Sequence, residues 1–156
     1  MRIGVLFAGL AVVLSGAACG DDDAGDAGDG APSSTEFARQ ANALCADATA
    51  ARRTVLSATE STDLTIEQVD EIIAIDEKLL ADVDDLVPPE SAQDAVFQLL
   101  DEWRVRIDLE EQARTAVADG DDAELSTLQG EVADVDLQAN QIAGGLLLNE
   151  CTRGQS

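Results

Sequence analysis

Across 156 residues, 32 aspartates and glutamates stand against only 9 lysines and arginines, a net charge of −23. A field of that sign repels phosphate backbones, so the counterion release that drives nucleic-acid binding is unavailable and nucleic acid is excluded as a partner. The sequence also holds no histidine and no tyrosine, which removes Ser-His-Asp and Cys-His chemistry and the commonest zinc ligand.

The chain starts with one basic residue, Arg2, followed by "IGVLFAGLAVVLSGAA", an uncharged run of 16 residues. A membrane-spanning helix needs about 20 apolar residues. This run is shorter and ends in small residues, which predicts a cleavable signal peptide over residues 1–18. The same run, placed directly before Cys19, resembles the lipobox of bacterial lipoproteins, with Gly16 where that family prefers Leu. The resemblance implies that Cys19 receives a diacylglycerol, that the signal is cut just before it, and that the new amino terminus is acylated. Two or three acyl chains hold a protein stably on a bilayer. The membrane would then be a partner through Cys19, and the protein would sit on the extracytoplasmic face of the cell membrane. Gly16 and Ala18 also satisfy the small-x-small rule of an ordinary secretory signal, so a secreted, non-lipidated chain is the alternative. Three cysteines are present; with Cys19 lipidated, Cys45 and Cys151 are left as a disulfide pair.

Residues 19–34 follow as a tether. From Asp21 to Ser34 the chain is almost wholly Asp, Gly, Ala and Ser, a composition that buries too little to offset the entropy of ordering. As a flexible coil it spans about 20 Å. Its "DDDAGDAGDG" run offers no window with the Gly and Glu register of an EF-hand loop, so no metal site is assigned there. Loss of Arg2 with the signal leaves 8 cations against 32 acids, a side-chain charge of −24.

Residues 35–156 read as one helical domain of about 120 residues. "SSTE", Ser33 to Glu36, is a capping box ahead of a helix over about 35–59, with Phe37, Ala41, Leu44, Ala48, Ala51 and Val55 at helical spacing. Thr65 and Gln68 form a second capping box. The second helix carries Val69, Ile72, Ile73, Leu79, Leu80, Val83 and Leu86, and Pro88 and Pro89 are expected to end it. A third helix has Ala92, Val96, Leu99, Leu100, Trp103, Ile107 and Val117 inward, interrupted by Glu110. Gly120 suits a left-handed cap. Asp121 with Glu124 opens a fourth helix whose Leu125, Leu128, Val132, Val135, Ala139, Ile142 and Leu146 alternate three and four, the spacing of a bundle seam. Gly144 and Gly145 are expected to stop it.

Four helices on short connections predict an all-α, up-down-up-down four-helix bundle. Cys45 then lies roughly 15 Å along the first helix at 1.5 Å per residue, and the six residues from Gly145 to Cys151 reach about 20 Å when extended. The tail "LLLNEC" can double back and close the bridge. The segments "FARQANALC", "LLADVDDLVPP" and "GGLLLNEC" together resemble a group of small actinobacterial lipoproteins of unassigned function. That resemblance implies a helical extracytoplasmic module and no active site.

Among chemistry-bearing residues, Asp82, Asp84 and Asp85 cluster near the end of the second helix, where the dipole disfavours acids, with Arg104 or Arg106 as expected counter-charges. They read first as a solvated face and second as an acidic patch for a cation or a partner. Trp103 reads as core, and the Arg52–Arg53 pair as a solvated ion-pairing site with an acidic ligand as alternative. Gly130 either allows close helix approach or is tolerated at about 1 kcal/mol relative to Ala. No cofactor is expected. The leading expectation is a non-catalytic binding or interaction module of the cell envelope, with an envelope protein or a small solute as partner. A structural or cation-binding acidic surface protein is the second. A carboxylate enzyme is third, and it requires a concave pocket between helices holding a carboxylate of raised pKa.

Overall fold

Local capping chemistry sets several of the helix ends. In a computed structural model of the chain, residues 32–57 and 64–153 are described, so the expected signal peptide, Cys19, most of the tether and the expected end of the first helix lie outside them. Helix α1 runs Ser34–Ser57, α2 Ile66–Asp84, α3 Gln93–Asp119 and α4 Asp122–Gly145, with 3-10 turns at Glu90–Ala92 and Asn149–Cys151. Among the described residues every element is helical, and the arrangement is the expected up-down-up-down bundle.

At the start of α1 the Ser33 hydroxyl accepts from the Glu36 N–H at 3.2 Å. The reciprocal half of the expected box is replaced: the Glu36 carboxylate takes the Arg39 guanidinium at 2.6 Å and the Gln40 amide at 2.6 Å. Both halves are present at α2, where Gln68 N–H donates to Thr65 Oγ1 and Thr65 N–H donates to Gln68 Oε1. The end of α2 comes earlier than the prolines suggest. Its final turn tightens to a Leu86 N–H to Val83 carbonyl bond, and the chain leaves the helix at Asp84, well ahead of Val87, the residue Pro88 restricts. Leu86 then packs against the core.

Helices α3 and α4 end in the same way with different residues. Gly120 takes φ 69° after α3, its N–H donating to Val117 and that of Asp121 to Ala116. After α4 the left-handed position falls to Leu147, φ 61°, with Leu147 N–H donating to Gly144 and Leu148 N–H to Ala143. Both are Schellman closures. The helix itself stops at Gly145, as expected, and the left-handed residue falls two positions later at Leu147, next to the fully buried Leu148.

The closure sends the tail back between α1 and α4. Its 3-10 turn packs against both helices in place of direct α1–α4 packing, and Leu148 and Cys151 complete the main core with Phe37, Val83, Leu99, Leu100 and Trp103. Two asparagines clamp the strip. Asn42 of α1 donates to Leu147 O and accepts from Glu150 N–H, both at 2.9 Å, while Asn140 of α4 donates to Arg153 O and accepts from Arg153 N–H, both at 2.8 Å. The Cys45–Cys151 disulfide, with a Cα separation of 5.0 Å, closes a loop of 106 residues, worth about 4 to 5 kcal/mol in the chain-entropy account. A second, smaller core of Leu109, Ala116, Leu128 and Val135 joins α3 to α4 at the far end.

Candidate functional site

Between the two cores lies a layer of charge. Asp76 sits in the middle of the α2 stripe and is 3% exposed, the one charged residue that is fully buried among the described residues. Three guanidiniums converge on it from three different elements. Arg52 of α1 donates from Nε to Oδ1 at 2.6 Å, Arg106 of α3 from Nη1 to Oδ2 at 2.5 Å, and Arg153 of the tail spans both oxygens at 2.9 and 3.0 Å. The last is a planar fork on a planar carboxylate, the geometry that arginine offers and lysine cannot. All three arginine side chains are between 12% and 15% exposed.

Arg106 also joins two further acids, Glu110 Oε1 at 2.8 Å and Asp136 Oδ1 at 2.9 Å. Three cations therefore face three carboxylates, and the layer is neutral when all are ionised. Satisfaction is incomplete: Arg106 Nε and Arg52 Nη2 lie close to carboxylate oxygens but do not aim a hydrogen along the line, and Glu110 Oε2 is buried with no hydrogen-bond partner among the described residues. Burial pushes the Glu110 carboxyl up to about 7, against the opposing pull of Arg106 and with the nearby Asp76 charge adding to the rise. Asp136 is raised for the same leading reason, burial.

On one side of this layer the two helical hairpins separate around a cleft of about 650 Å³. Its walls are aliphatic: Leu56 from α1, Val69, Ile72 and Ile73 from α2, Ala113 and Val117 from α3, Leu125 and Val132 from α4. Its floor is polar, made by Arg52, Arg106 and Glu110, and Asp122 and Gln129 of α4 add two further polar side chains to the lining. A bidentate Arg114–Asp70 pair ties α3 to α2 nearby. The concave pocket with a carboxylate of raised pKa, the condition set by the sequence for carboxylate chemistry, is thus present.

Most residues singled out in the sequence lie elsewhere. Asp82 pairs with Lys78 at 2.5 Å, Asp84 lies 3.7 Å from Arg104, and exposed Asp85 caps α2 through its backbone. They face different partners, and among the described residues no group of three or more Cys, Asp or Glu side chains is arranged to hold a metal ion. Arg106, one expected counter-charge for this cluster, turns to Asp76 instead. The Arg52–Arg53 pair divides: Arg53 is exposed as expected, whereas Arg52 points inward to the buried carboxylate. Trp103 lies in the main core at 5% exposure. A methyl group added at Gly130 would meet nothing within 4 Å, so this glycine serves no close helix approach. Among the described residues no helix is long and apolar enough to cross a membrane.

Asp76, Asp136 and Arg153 are not among the residues that the sequence singles out. Asp76 falls in step with Ile72, Ile73, Leu79 and Val83, and an acid on an otherwise apolar stripe is a signal when arginines and a glutamate interrupt neighbouring stripes at the same depth. Arg153 lies beyond any periodic segment and carries no such mark. Comparison with protein-family models, with curated proteins and with solved structures finds no match.

Proposed function

We propose that this chain is a membrane-anchored extracytoplasmic binding module that holds a small solute in the cleft between its two helical hairpins. The observation that carries this reading is the cleft itself: about 650 Å³ of aliphatic wall over a few convergent polar groups, the usual composition of a small-molecule site. The anchor rests on the lipobox resemblance at Cys19, and the acidic tether would keep the domain clear of anionic headgroups. Binding without chemistry is supported by the state of the carboxylates. Asp76 is engaged by three guanidiniums and Asp136 lies against Arg106, which leaves Glu110 without a second catalytic group beside it.

One experiment addresses both parts. Wild type and Cys19→Ala are expressed in a bacterial host that exports lipoproteins; the cells are fractionated, and small molecules co-purifying with the detergent-free Cys19→Ala chain are identified by mass spectrometry. The reading expects wild type in the membrane fraction, the variant released, and a solute at near-stoichiometric amount. A variant that still sediments with membranes refutes the anchor, and a folded chain carrying no solute counts against the binding site.

A second reading is favoured by the raised pKa of Glu110, which suits a general acid or base. It expects the recovered solute to be chemically altered by wild type and unaltered by Glu110→Gln. The binding reading expects it unaltered by both.

A further inference from the structure

The cleft carries enough chemistry to name the class of its occupant, an inference that rests on the binding reading above. Its walls are branched aliphatic side chains, Leu56, Val69, Ile72, Val117, Leu125 and Val132 among them, and no lining residue is aromatic. Flat ring systems gain from aromatic partners; walls of this kind suit a saturated or branched chain. The floor sets the head group. Arg52 and Arg106 contribute two cations there, but both are held by Asp76, and Arg106 also by Glu110 and Asp136.

Against that floor a carboxylate head would meet Glu110, and an ammonium head would meet two guanidiniums. On the floor neither finds an unshared counter-charge, the other charged residue of the lining, Asp122, being exposed to solvent, and a desolvated charge without one is costly. A neutral head avoids both penalties. It also finds a partner in the carboxyl group of Glu110, which lines the cleft and whose one ion pair among the described residues is with Arg106.

We propose that the cleft takes an uncharged aliphatic amphiphile, its chain along the Ile72, Val117 and Leu125 walls and its hydroxyl or amide head hydrogen-bonded to Glu110. A hydroxyl donates to the ionised carboxylate and accepts from the protonated acid. With the Glu110 carboxyl pushed up to about 7, both forms are populated near neutrality and such a head satisfies either.

The test uses the full chain carrying Cys19→Ala, purified without detergent from an oxidising host, and three probes titrated below their micellar concentrations in a calorimeter: 1-monolauroylglycerol, laurate and dodecylammonium. The expected result is saturable binding of monolauroylglycerol at a Kd at least tenfold below that of either charged probe. Glu110→Gln should keep this affinity within about threefold, Glu110→Leu should lose about tenfold, and Ala113→Trp, which fills the cleft, should abolish it. Circular dichroism melts establish that each variant is folded. Tighter binding of laurate or dodecylammonium overturns the assigned class while leaving the cleft as a binding site. Monolauroylglycerol binding that survives Ala113→Trp overturns the placement. Absence of saturable binding by all three probes to a folded chain overturns this inference, and only an empty chain in the co-purification experiment also removes the binding reading beneath it.

Discussion

Replacing Asp76 by Asn keeps the shape of the buried side chain and removes the charge on which three guanidiniums converge. Arg52 and Arg153 make their ion pairs with Asp76, whereas Arg106 retains Glu110 and Asp136. The variant therefore strands two cations whose side chains are 14% and 15% exposed. Removing one partner of a buried pair costs about 3 to 5 kcal/mol, chiefly through the uncompensated charge left behind. Domains of this size have about 5 to 15 kcal/mol in total. With a urea m-value of about 1.5 kcal/mol/M, the unfolding midpoint should fall by about 2 to 3 M. Trp103, the sole tryptophan and only 5% exposed, reports the transition by fluorescence. Adding Arg153→Met to Asp76→Asn removes one stranded cation and should restore about 1 kcal/mol. A midpoint lowered by less than 0.5 M at unchanged m, roughly the scale of an exposed ion pair, would refute the reasoning and mean that the guanidiniums are already well hydrated.

The pH dependence of stability tests the other acids of the layer. Glu110 is raised from 4.5 to about 7 in the folded protein, so between these values the native state binds the extra proton. Its contribution is complete below pH 4.5 and lost as pH rises through 7, with an upper bound of roughly 3 kcal/mol. Asp136 acts in the same direction; the exposed Glu36 and Asp70 carboxyls are lowered and titrate below this window. Urea midpoints should fall from pH 5 to pH 8 and flatten in Glu110→Gln, and a midpoint that rises over that interval contradicts the assignment. Gly130→Ala, entering open space on α4, should stabilise by about 0.5 to 1 kcal/mol in the same assay.

What could be read from the sequence divides along a physical line. Thr65 with Gln68, Gly120 and the alternating seam of α4 are local devices whose partners lie within a few residues, so spacing alone locates them. The bridge between Cys45 and Cys151 was accessible for a different reason, since chain reach restricts where a short tail can go. The charge layer obeys neither rule. Arg52 beside Arg53 reads as surface charge, and Glu110 reads as an interruption of a stripe. Their inward orientation is fixed only when α1, α2, α3 and the tail meet at one depth. The stop of α4 at Gly145 is a local signal and is legible, whereas nothing local marks Leu147 for positive φ, which accompanies the burial of Leu148 in the assembled core.

The tail that fills the groove between α1 and α4 also orders events in time. Leu148, Cys151 and Arg153 supply a core side chain, a covalent link and a counter-charge, and all three follow the fourth helix in the chain. The helices can pair as hairpins earlier, but the seam between the first and the fourth stays unsealed until the tail arrives across more than 100 residues of intervening chain. Closure over such a separation is slow relative to local pairing. That seam is thus the part of the fold that local pairing between neighbouring helices cannot complete.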